Sequence, residues 1–143
     1  MGYRLGRSAV IVVDSSAVIA ILFGEPSAAA LFSCLGGDPD RLMSVASYWE
    51  VGTVLAGRRR SNKSRAIDDL NAFLDEAGIT LSPVDVKQGR LALQARITYG
   101  RGMGHGGSLN FGDAFSYALA KSLDASSLFV GEDFASTDVA SAL

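Results

Sequence analysis

The chain has 143 residues, a net charge of −2, one cysteine and one histidine, which excludes an intrachain disulfide and a zinc site built from a Cys/His cluster. The slightly negative charge argues against strong overall attraction to nucleic acid, and no apolar run is long enough to span a bilayer. The apolar run near the start is interrupted by polar residues, which argues against a signal peptide. We therefore expect one domain over residues 1–143, in the cytoplasm and not at a membrane.

The first predicted element is a buried strand. Residues Ala9–Val13 are apolar, and all but the alanine are β-branched, which is typical of a strand covered on both faces of a parallel sheet. Ser15 and Ser16 follow and offer an N-cap for a helix that runs to Leu22. A break that contains glycine and proline separates this helix from a second one over residues 28–35.

Strands and helices then alternate along the middle of the chain. Gly57 and the arginines after it are expected to end one helix, and Gly78 is expected to end another. Pro83 suits the first turn of the helix that follows it. The predicted elements in this part are a strand over residues 42–45, a helix over 46–57, a helix over 64–77, a strand over 79–81 and a helix over 84–98.

The last third of the chain begins with a glycine-rich loop. Residues 100–110 read GRGMGHGGSLN and contain five glycines, which is typical of a mobile loop or of one that approaches a ligand closely. A strongly periodic helix starts at Phe111, and a further strand is predicted over residues 127–130. The alternation of strands and helices predicts a three-layer α/β/α sandwich around a central parallel sheet.

Two acidic residues follow predicted strands. Asp14 comes directly after the first strand, and Asp133 lies three residues after the strand at 127–130. Ligands of open parallel sheets bind outside the carboxyl ends of the strands, so both acids are candidate site residues. Each also has a structural alternative, because Asp14 could cap the following helix and Asp133 could belong to an ordinary turn.

Two more acids stand in predicted helices. Glu50 is flanked by apolar and aromatic residues that give it few polar companions, although the usual place of a glutamate on a helix is the exposed surface. Asp113 lies three residues after Asn110, which is the spacing of a capping box, and an acid there also favours the helix dipole. A capping role does not exclude contact with a metal.

A basic stretch separates two of the predicted helices. Residues 58–65 read RRRSNKSR and contain five cations in eight residues. A solvated loop is the ordinary interpretation of such a run, and binding of phosphate groups is the alternative.

Four segments together resemble the PIN-domain family, and more narrowly the VapC-type ribonuclease toxins of prokaryotic toxin–antitoxin pairs. The resemblance covers almost the whole chain, and the segments around Asp113 and Asp133 are its most specific parts. Glu132 is a departure, because asparagine is more usual at that position. The four segments are DSSA at residues 14–17, WEV at 49–51, LNFGDAFSYALA at 109–120 and GEDFASTDV at 131–139.

The resemblance implies a metal-dependent endoribonuclease whose acids gather in one pocket and bind Mg²⁺ or Mn²⁺. Asp14 and Asp113 would be the principal metal ligands. Glu50 would be a ligand or would orient the attacking water, and Asp133 would complete a second metal position. The implied ligands are therefore Asp14, Glu50, Asp113 and Asp133, with Asp138 as an addition to the last or a substitute for it.

Hydrolysis assisted by two metal ions leaves a 5′-phosphate and a 3′-hydroxyl. Cleavage through the 2′-hydroxyl usually enlists two acid–base groups that titrate near neutrality, and the chain has only one histidine, His105. An acidic pocket does not hold a long polyanion by itself, so flanking cations are expected to bind the RNA phosphates. The candidates for RNA binding are Arg58, Arg59, Arg60, Lys63 and Arg101.

The resemblance also implies partners. These are an RNA substrate, a second copy in a homodimer, and a VapB-type antitoxin that covers the active site in a heterotetramer or a larger assembly. Because the antitoxin of such a pair carries the DNA-binding domain, this chain would not read DNA itself. Tyr48, Trp49 and Phe32 could supply partner surfaces, although we expect core packing for most of them.

Two other functions stay open at the level of the sequence. Asp14 at a strand end could accept a phosphoryl group, as in an aspartyl-phosphate phosphohydrolase or a receiver-like domain. A phosphatase of the haloacid-dehalogenase type would have a second aspartate where Ser16 stands. The chain could also be a non-catalytic PIN-like binding module, which the presence of all four acids disfavours.

Overall fold

The computed structural model describes residues 10–37, 39–104 and 107–143. None of the helices in these ranges has both the length and the apolar character needed to cross a bilayer. The elements in chain order are β1 (Ile11–Val13), α1 (Ser15–Leu22), α2 (Ala28–Leu35), β2 (Arg41–Ser44), α3 (Val45–Arg58), α4 (Arg65–Ala77), β3 (Ile79–Ser82), α5 (Val86–Tyr99), α6 (Phe111–Leu123) and β4 (Ser126–Leu128).

The strands form one parallel sheet in the order β3–β2–β1–β4. In this register Ile11 of β1 lies opposite Arg41 of β2 on one side and Ser126 of β4 on the other. The carboxyl ends of these three strands therefore meet at one edge, which we call the carboxyl edge of the sheet. Helices α1 and α3 begin directly at this edge, because each follows its strand within two residues.

Alternate side chains of β1 face opposite helix layers. Ile11 and Val13 pack into a core with residues of α1, α2, α3 and α4, whereas Val12 packs with residues of α5 and α6. Val12 and Val13 are fully buried, as expected for a strand covered on both faces. The predicted three-layer α/β/α sandwich with a central parallel sheet is confirmed.

Several element boundaries differ from the predicted ones because polar side chains cap the helices. Strand β2 ends at Ser44, whose hydroxyl accepts a backbone hydrogen bond from the first turn of α3. Helix α5 begins after Asp85, whose carboxylate caps its first turn in the same way. Strand β4 ends at Leu128, so the loop that carries the last acids is longer than predicted. The predicted strand start at Ala9 and the histidine His105 lie outside the described residues.

The three aromatic residues for which core packing was mostly expected differ in how far they are buried. Trp49 is 70% exposed and Phe32 is 56% exposed, so core packing is wrong for both. Tyr48 is partly buried, and its hydroxyl donates to Asn71 Oδ1 of α4 at 2.8 Å. A single exposed aromatic side chain is ordinary, whereas several that border one surface indicate a contact with another molecule.

Candidate active site

Asp14 is a buried carboxylate at the end of the central strand. The residue is 1% exposed, and its backbone N–H donates to the Leu128 carbonyl of β4 at 2.9 Å. Its Oδ2 accepts hydrogen bonds from the Ser16 N–H at 3.0 Å and from the Ser16 hydroxyl at 2.7 Å. Asp14 is therefore the N-cap of α1, and the predicted cap at Ser15 or Ser16 is wrong.

The other oxygen of Asp14 is held by the opposite helix layer. Asp14 Oδ1 accepts from the Ser116 hydroxyl of α6 at 2.6 Å, and this hydroxyl lies 3.0 Å from the hydroxyl of Ser47. The Ser16 hydroxyl accepts from the Val130 N–H at 3.0 Å, which ties the loop after β4 to the same group. Burial raises the pKa of Asp14, and the hydrogen bonds from Ser116 and Ser16 oppose that rise.

The sequence interpretation missed Ser47 and Ser116 as site residues. A signal for Ser116 was present, because it lies three residues after Asp113 and therefore on the same face of the helix. Ser47 carried the same kind of signal, because it lies three residues before Glu50 on α3, although its hydroxyl partner is 69 residues away in sequence. Both serines are fully buried, so their hydroxyls form hydrogen bonds within the site rather than with solvent.

Asp113 begins α6 with a reciprocal pair of hydrogen bonds. Asn110 Oδ1 accepts from the Asp113 N–H at 2.8 Å, and Asp113 Oδ2 accepts from the Asn110 N–H at 3.1 Å, so the predicted capping box is confirmed. Burial, the charge of Asp14 and the nearby Asp133 carboxyl raise the pKa of Asp113 to about 8. The raised pKa therefore favours the protonated form of Asp113 at neutral pH in the metal-free protein.

Glu50 of α3 lies between the first turns of α1 and α6. Its Oε1 accepts from the hydroxyl of Ser15, the neighbour of Asp14, at 2.7 Å. On the other side its carboxylate lies against Gly112, where an added Cβ would be 2.3 Å from Oε1. Glycine at this position is what allows the carboxylate to lie against the first turn of α6, one residue before Asp113. The structure thus brings Glu50 to the same corner as the other acids.

The loop after β4 supplies Asp133 to this corner and carries Asp138 to a different place. Asp133 is close enough to Asp113 to raise the pKa of that carboxyl. Asp138 instead pairs with Lys121 Nζ at 2.8 Å and accepts from the Tyr117 hydroxyl at 2.7 Å, and both contacts lower its pKa. A role for Asp138 at a metal stays a prediction, and it would require this ion pair to break.

The donor chemistry of the corner fits hard divalent cations. Carboxylate oxygens are the ligands that Mg²⁺ and Mn²⁺ prefer, and Mg²⁺ commonly uses only one or two of them, with water in its other positions. Within the described ranges, no three side chains of His, Cys, Asp or Glu lie close enough to surround one metal ion together. The pKa values of Asp14 and Asp113 are both raised, and a cation beside them would lower both.

The same geometry argues against Asp14 as a phosphoryl acceptor. A phosphoryl acceptor must be reached by a bulky tetrahedral phosphorus group, whereas a metal ligand needs only a lone pair within reach of a small ion. Both Asp14 oxygens accept hydrogen bonds from serines, and the residue is almost completely buried. The arrangement is suited to holding the carboxylate still rather than to nucleophilic attack.

The basic stretch lies at the far end of α3. Glu50 and Arg58 are separated by eight residues of this helix, about 12 Å along its axis. The Arg58 guanidinium lies over the Phe23 ring at 4.1 Å from its centre, and Arg59 pairs with Asp69. These two arginines therefore pack against neighbouring helices.

Lys63 caps the last turn of α3. Its Nζ donates to the carbonyl oxygen of Arg59 at 2.6 Å and to that of Ala56 at 2.9 Å, which also accepts from the Arg59 N–H. Arg60 and Arg101 are exposed. Phosphate binding by the five basic residues stays a prediction, and three of them have structural contacts as well.

Comparison with known proteins points to one family. Residues 11–140 match the PIN domain family. Ribonuclease VapC28 of Mycobacterium tuberculosis is 46% identical over 132 residues, which cover 92% of this chain and 97% of that protein.

Two solved structures share the fold. The crystal structure of Mycobacterium tuberculosis VapC20, described as a Sarcin-Ricin loop cleaving toxin, matches with a TM-score of 0.69 at 19% identity and covers 90% of this chain and 95% of that chain. A toxin-antitoxin complex from Klebsiella pneumoniae matches with a TM-score of 0.67 at 17% identity and covers 95% of this chain and 98% of that chain.

The raised pKa of Asp113 predicts a stability that depends on pH in the metal-free protein. Because the folded state favours the protonated form, this contribution is complete below about pH 4 and is lost as the pH rises through about 8. Asparagine carries no titrating proton, so Asp113→Asn should unfold at a higher temperature than wild type at pH 9 by about 5 °C, and by less at pH 5. Thermal unfolding in a chelator measures this difference.

A matched control is Asp75→Asn, which removes an exposed carboxylate of α4. Its difference from wild type should change little between pH 5 and pH 9. A difference between wild type and Asp113→Asn that does not grow with pH would contradict the electrostatic description of the site.

Proposed function

The chain belongs to the PIN-domain family, and we propose that it is a VapC-type ribonuclease, the toxin of a toxin–antitoxin pair. The observation that carries the proposal is that Glu50 contacts Ser15 and Gly112, the chain neighbours of Asp14 and Asp113, while the charges of Asp14 and Asp133 act on Asp113. Four segments far apart in sequence contribute these acids, and all four segments fall within the range that matches the PIN domain family. The relative VapC28, which matches this chain over almost its whole length, is named a ribonuclease.

The acids would hold one or two Mg²⁺ ions, with Mn²⁺ as a substitute. Bound ions supply positive charge for the phosphodiester and lower the pKa of a water molecule that attacks phosphorus. Asp14 and Asp113 would be the principal ligands, and the hydrogen bonds from Ser16 and Ser116 keep the Asp14 carboxylate in one orientation.

Glu50 and Asp133 complete this assignment. Glu50, held by the Ser15 hydroxyl, would orient the attacking water or bind an ion itself. Asp133 would contribute to a second ion position, which accounts for its placement next to Asp113. Hydrolysis by this two-metal route leaves a 5′-phosphate and a 3′-hydroxyl.

A VapB-type antitoxin would be the protein partner, in a heterotetramer or larger assembly built on a homodimer. The fold of the toxin-antitoxin complex from Klebsiella pneumoniae supports this part of the proposal. An apolar groove of about 470 Å³ between α3 and α4, bordered by Trp49 and Ile67, offers a surface for a partner. With DNA reading left to the antitoxin, the chain would act on RNA in the cytoplasm.

Digestion of total RNA tests the function and the site together. Wild type with Mg²⁺ should produce new ends that carry 5′-phosphate and 3′-hydroxyl, and a chelator should abolish them. Asp113→Asn should cleave at least about 100-fold more slowly, because even the loss of a group that only supports a metal ligand costs 10–100-fold. End-group analysis of the products gives the mechanism.

The exposed acid variant Asp75→Asn is the control and should cleave like wild type. Equal activity in wild type and Asp113→Asn would refute the site. Products with 2′,3′-cyclic phosphate would refute the metal-assisted route while leaving ribonuclease activity in place.

Salt dependence tests the proposed RNA contacts of the basic residues. In the Asp113→Asn background, where bound RNA stays intact, affinity should fall as salt rises, because released counterions favour binding. Replacing Arg60 by glutamine should reduce the slope of log affinity against log salt by about 0.7 if Arg60 binds one phosphate. Fluorescence anisotropy of labelled RNA measures the slope, and Arg101→Gln is tested in the same way.

Lys87→Gln is the matched control, because Lys87 is an exposed cation on α5. It should leave the slope close to that of the background protein. If affinity does not respond to salt, or if Arg60→Gln behaves like Lys87→Gln, the basic stretch is a solvated loop. Either result would refute its role in binding RNA phosphates.

A further inference from the structure

Two exposed aromatic side chains border a cavity beside Glu50. Trp49 of α3 is 70% exposed, and Phe111, the first residue of α6, is 72% exposed. Both line a cavity of about 220 Å³ whose wall also includes the Glu50 carboxylate. Two rings of this size left in water beside a cluster of acids have no role in packing the core.

We propose that Trp49 and Phe111 bind an unpaired base of the RNA substrate by stacking, next to the phosphate that is cleaved. The proposal rests on the proposed ribonuclease function and adds the part of the substrate that is recognised beside the acids. It assigns the two rings to substrate positioning and preference for unpaired RNA, and not to the chemical step.

The shape and chemistry of the cavity suit a base. Its volume corresponds to about seven water molecules, which is the scale of one planar ring system rather than of a folded segment. Stacking on aromatic side chains binds single-stranded RNA without requiring a particular sequence, because every base has a π face. A base in duplex RNA is already stacked and is not available, so the pair favours unpaired substrate.

The rings are attached to the elements that hold the acids. Trp49 directly precedes Glu50, and Phe111 lies two residues before Asp113. Phe111 also packs edge-on against Phe115 of the same helix, with ring centres 5.1 Å apart, which restricts its motion. A base stacked here would therefore fix the position of its neighbouring phosphate relative to the carboxylates.

A protein segment is the competing occupant, because Trp49 also borders the groove between α3 and α4. The neighbouring acid separates the two cases. The groove has Tyr48 beside Trp49, whereas the cavity has Phe111 beside Trp49 and also includes Glu50, so only the cavity combines two aromatic rings with one of the acids. Continuity with the acid corner favours the RNA base.

Trp49 is the only tryptophan of the chain, so tryptophan fluorescence reports on the surroundings of this one side chain. In the Asp113→Asn background with Mg²⁺, a short unpaired oligoribonucleotide of mixed sequence should quench this fluorescence. The same strand with abasic sites keeps the phosphates and should quench it much less. Equal quenching by both strands would overturn the stacking site, since it would report phosphate binding only.

Variants test the pair by affinity for a fluorescently labelled copy of the same RNA. Phe111→Ala and Trp49→Ala should each weaken binding about 5- to 150-fold, whereas Trp49→Phe keeps a ring and should recover most of the affinity. Phe32→Ala, which removes an exposed ring on α2, is the control. If Phe111→Ala binds RNA like Phe32→Ala, the stacking site is refuted.

The outcomes separate this proposal from the function on which it rests. Cleavage by wild type without base-dependent quenching overturns the stacking site and leaves the ribonuclease in place. Base-dependent quenching without any cleavage supports the stacking site and overturns the ribonuclease. A change in Trp49 fluorescence in a co-purified antitoxin complex, with none on adding RNA, assigns the pair to a protein contact and overturns the proposal.

Discussion

Three hydrogen bonds to a single buried carboxylate determine how this molecule is organised. Asp14 ends the central strand in almost complete isolation from solvent, where an unbonded carboxylate would be strongly destabilising. Ser16 satisfies one oxygen from the helix that Asp14 itself caps, and Ser116 satisfies the other from the opposite helix layer. The polar link therefore crosses the carboxyl edge of the sheet and holds α1 and α6 together at the place where the acids meet.

The other acids depend on the same two helix starts. Asp113 is fixed by its capping box with Asn110 in the first turn of α6, and Glu50 is held between Ser15 and Gly112. These contacts hold the acids at the same corner, where burial and the charge of Asp14 raise the pKa of Asp113. The fold and the site therefore depend on the same contacts, because the caps that start the helices also bring the carboxylates together.

Much of this could be predicted from the sequence, and the reasons are local. The apolar run before Asp14 indicated a strand buried on both faces, and the spacing of Asn110 and Asp113 indicated a capping box, because both patterns depend on neighbours in the chain. The resemblance to the PIN-domain family indicated the acids as one group of site residues. The hydrophobic periodicity of the sequence could not have indicated such a group.

What could not be predicted depends on distant contacts. The hydroxyl pair Ser47 and Ser116 joins residues far apart in sequence, and the ion pair that occupies Asp138 forms only when the last loop returns to α6. The exposure of Trp49 was missed for a related reason. An aromatic residue in an apolar segment is usually part of the core, and only the three-dimensional arrangement shows which side of α3 lacks a neighbour.

The proposed metal site requires that the acid corner exchange a proton for a divalent cation. The most direct measurement is the number of protons released when Mg²⁺ binds at pH 7, obtained by calorimetry in two buffers of different ionisation enthalpy. With the pKa of Asp113 at about 8 in the metal-free protein, binding should release about one proton per chain, and Asp113→Asn should release far less. Binding of Mg²⁺ without proton release, or no binding at all, would contradict the proposed metal site at these acids.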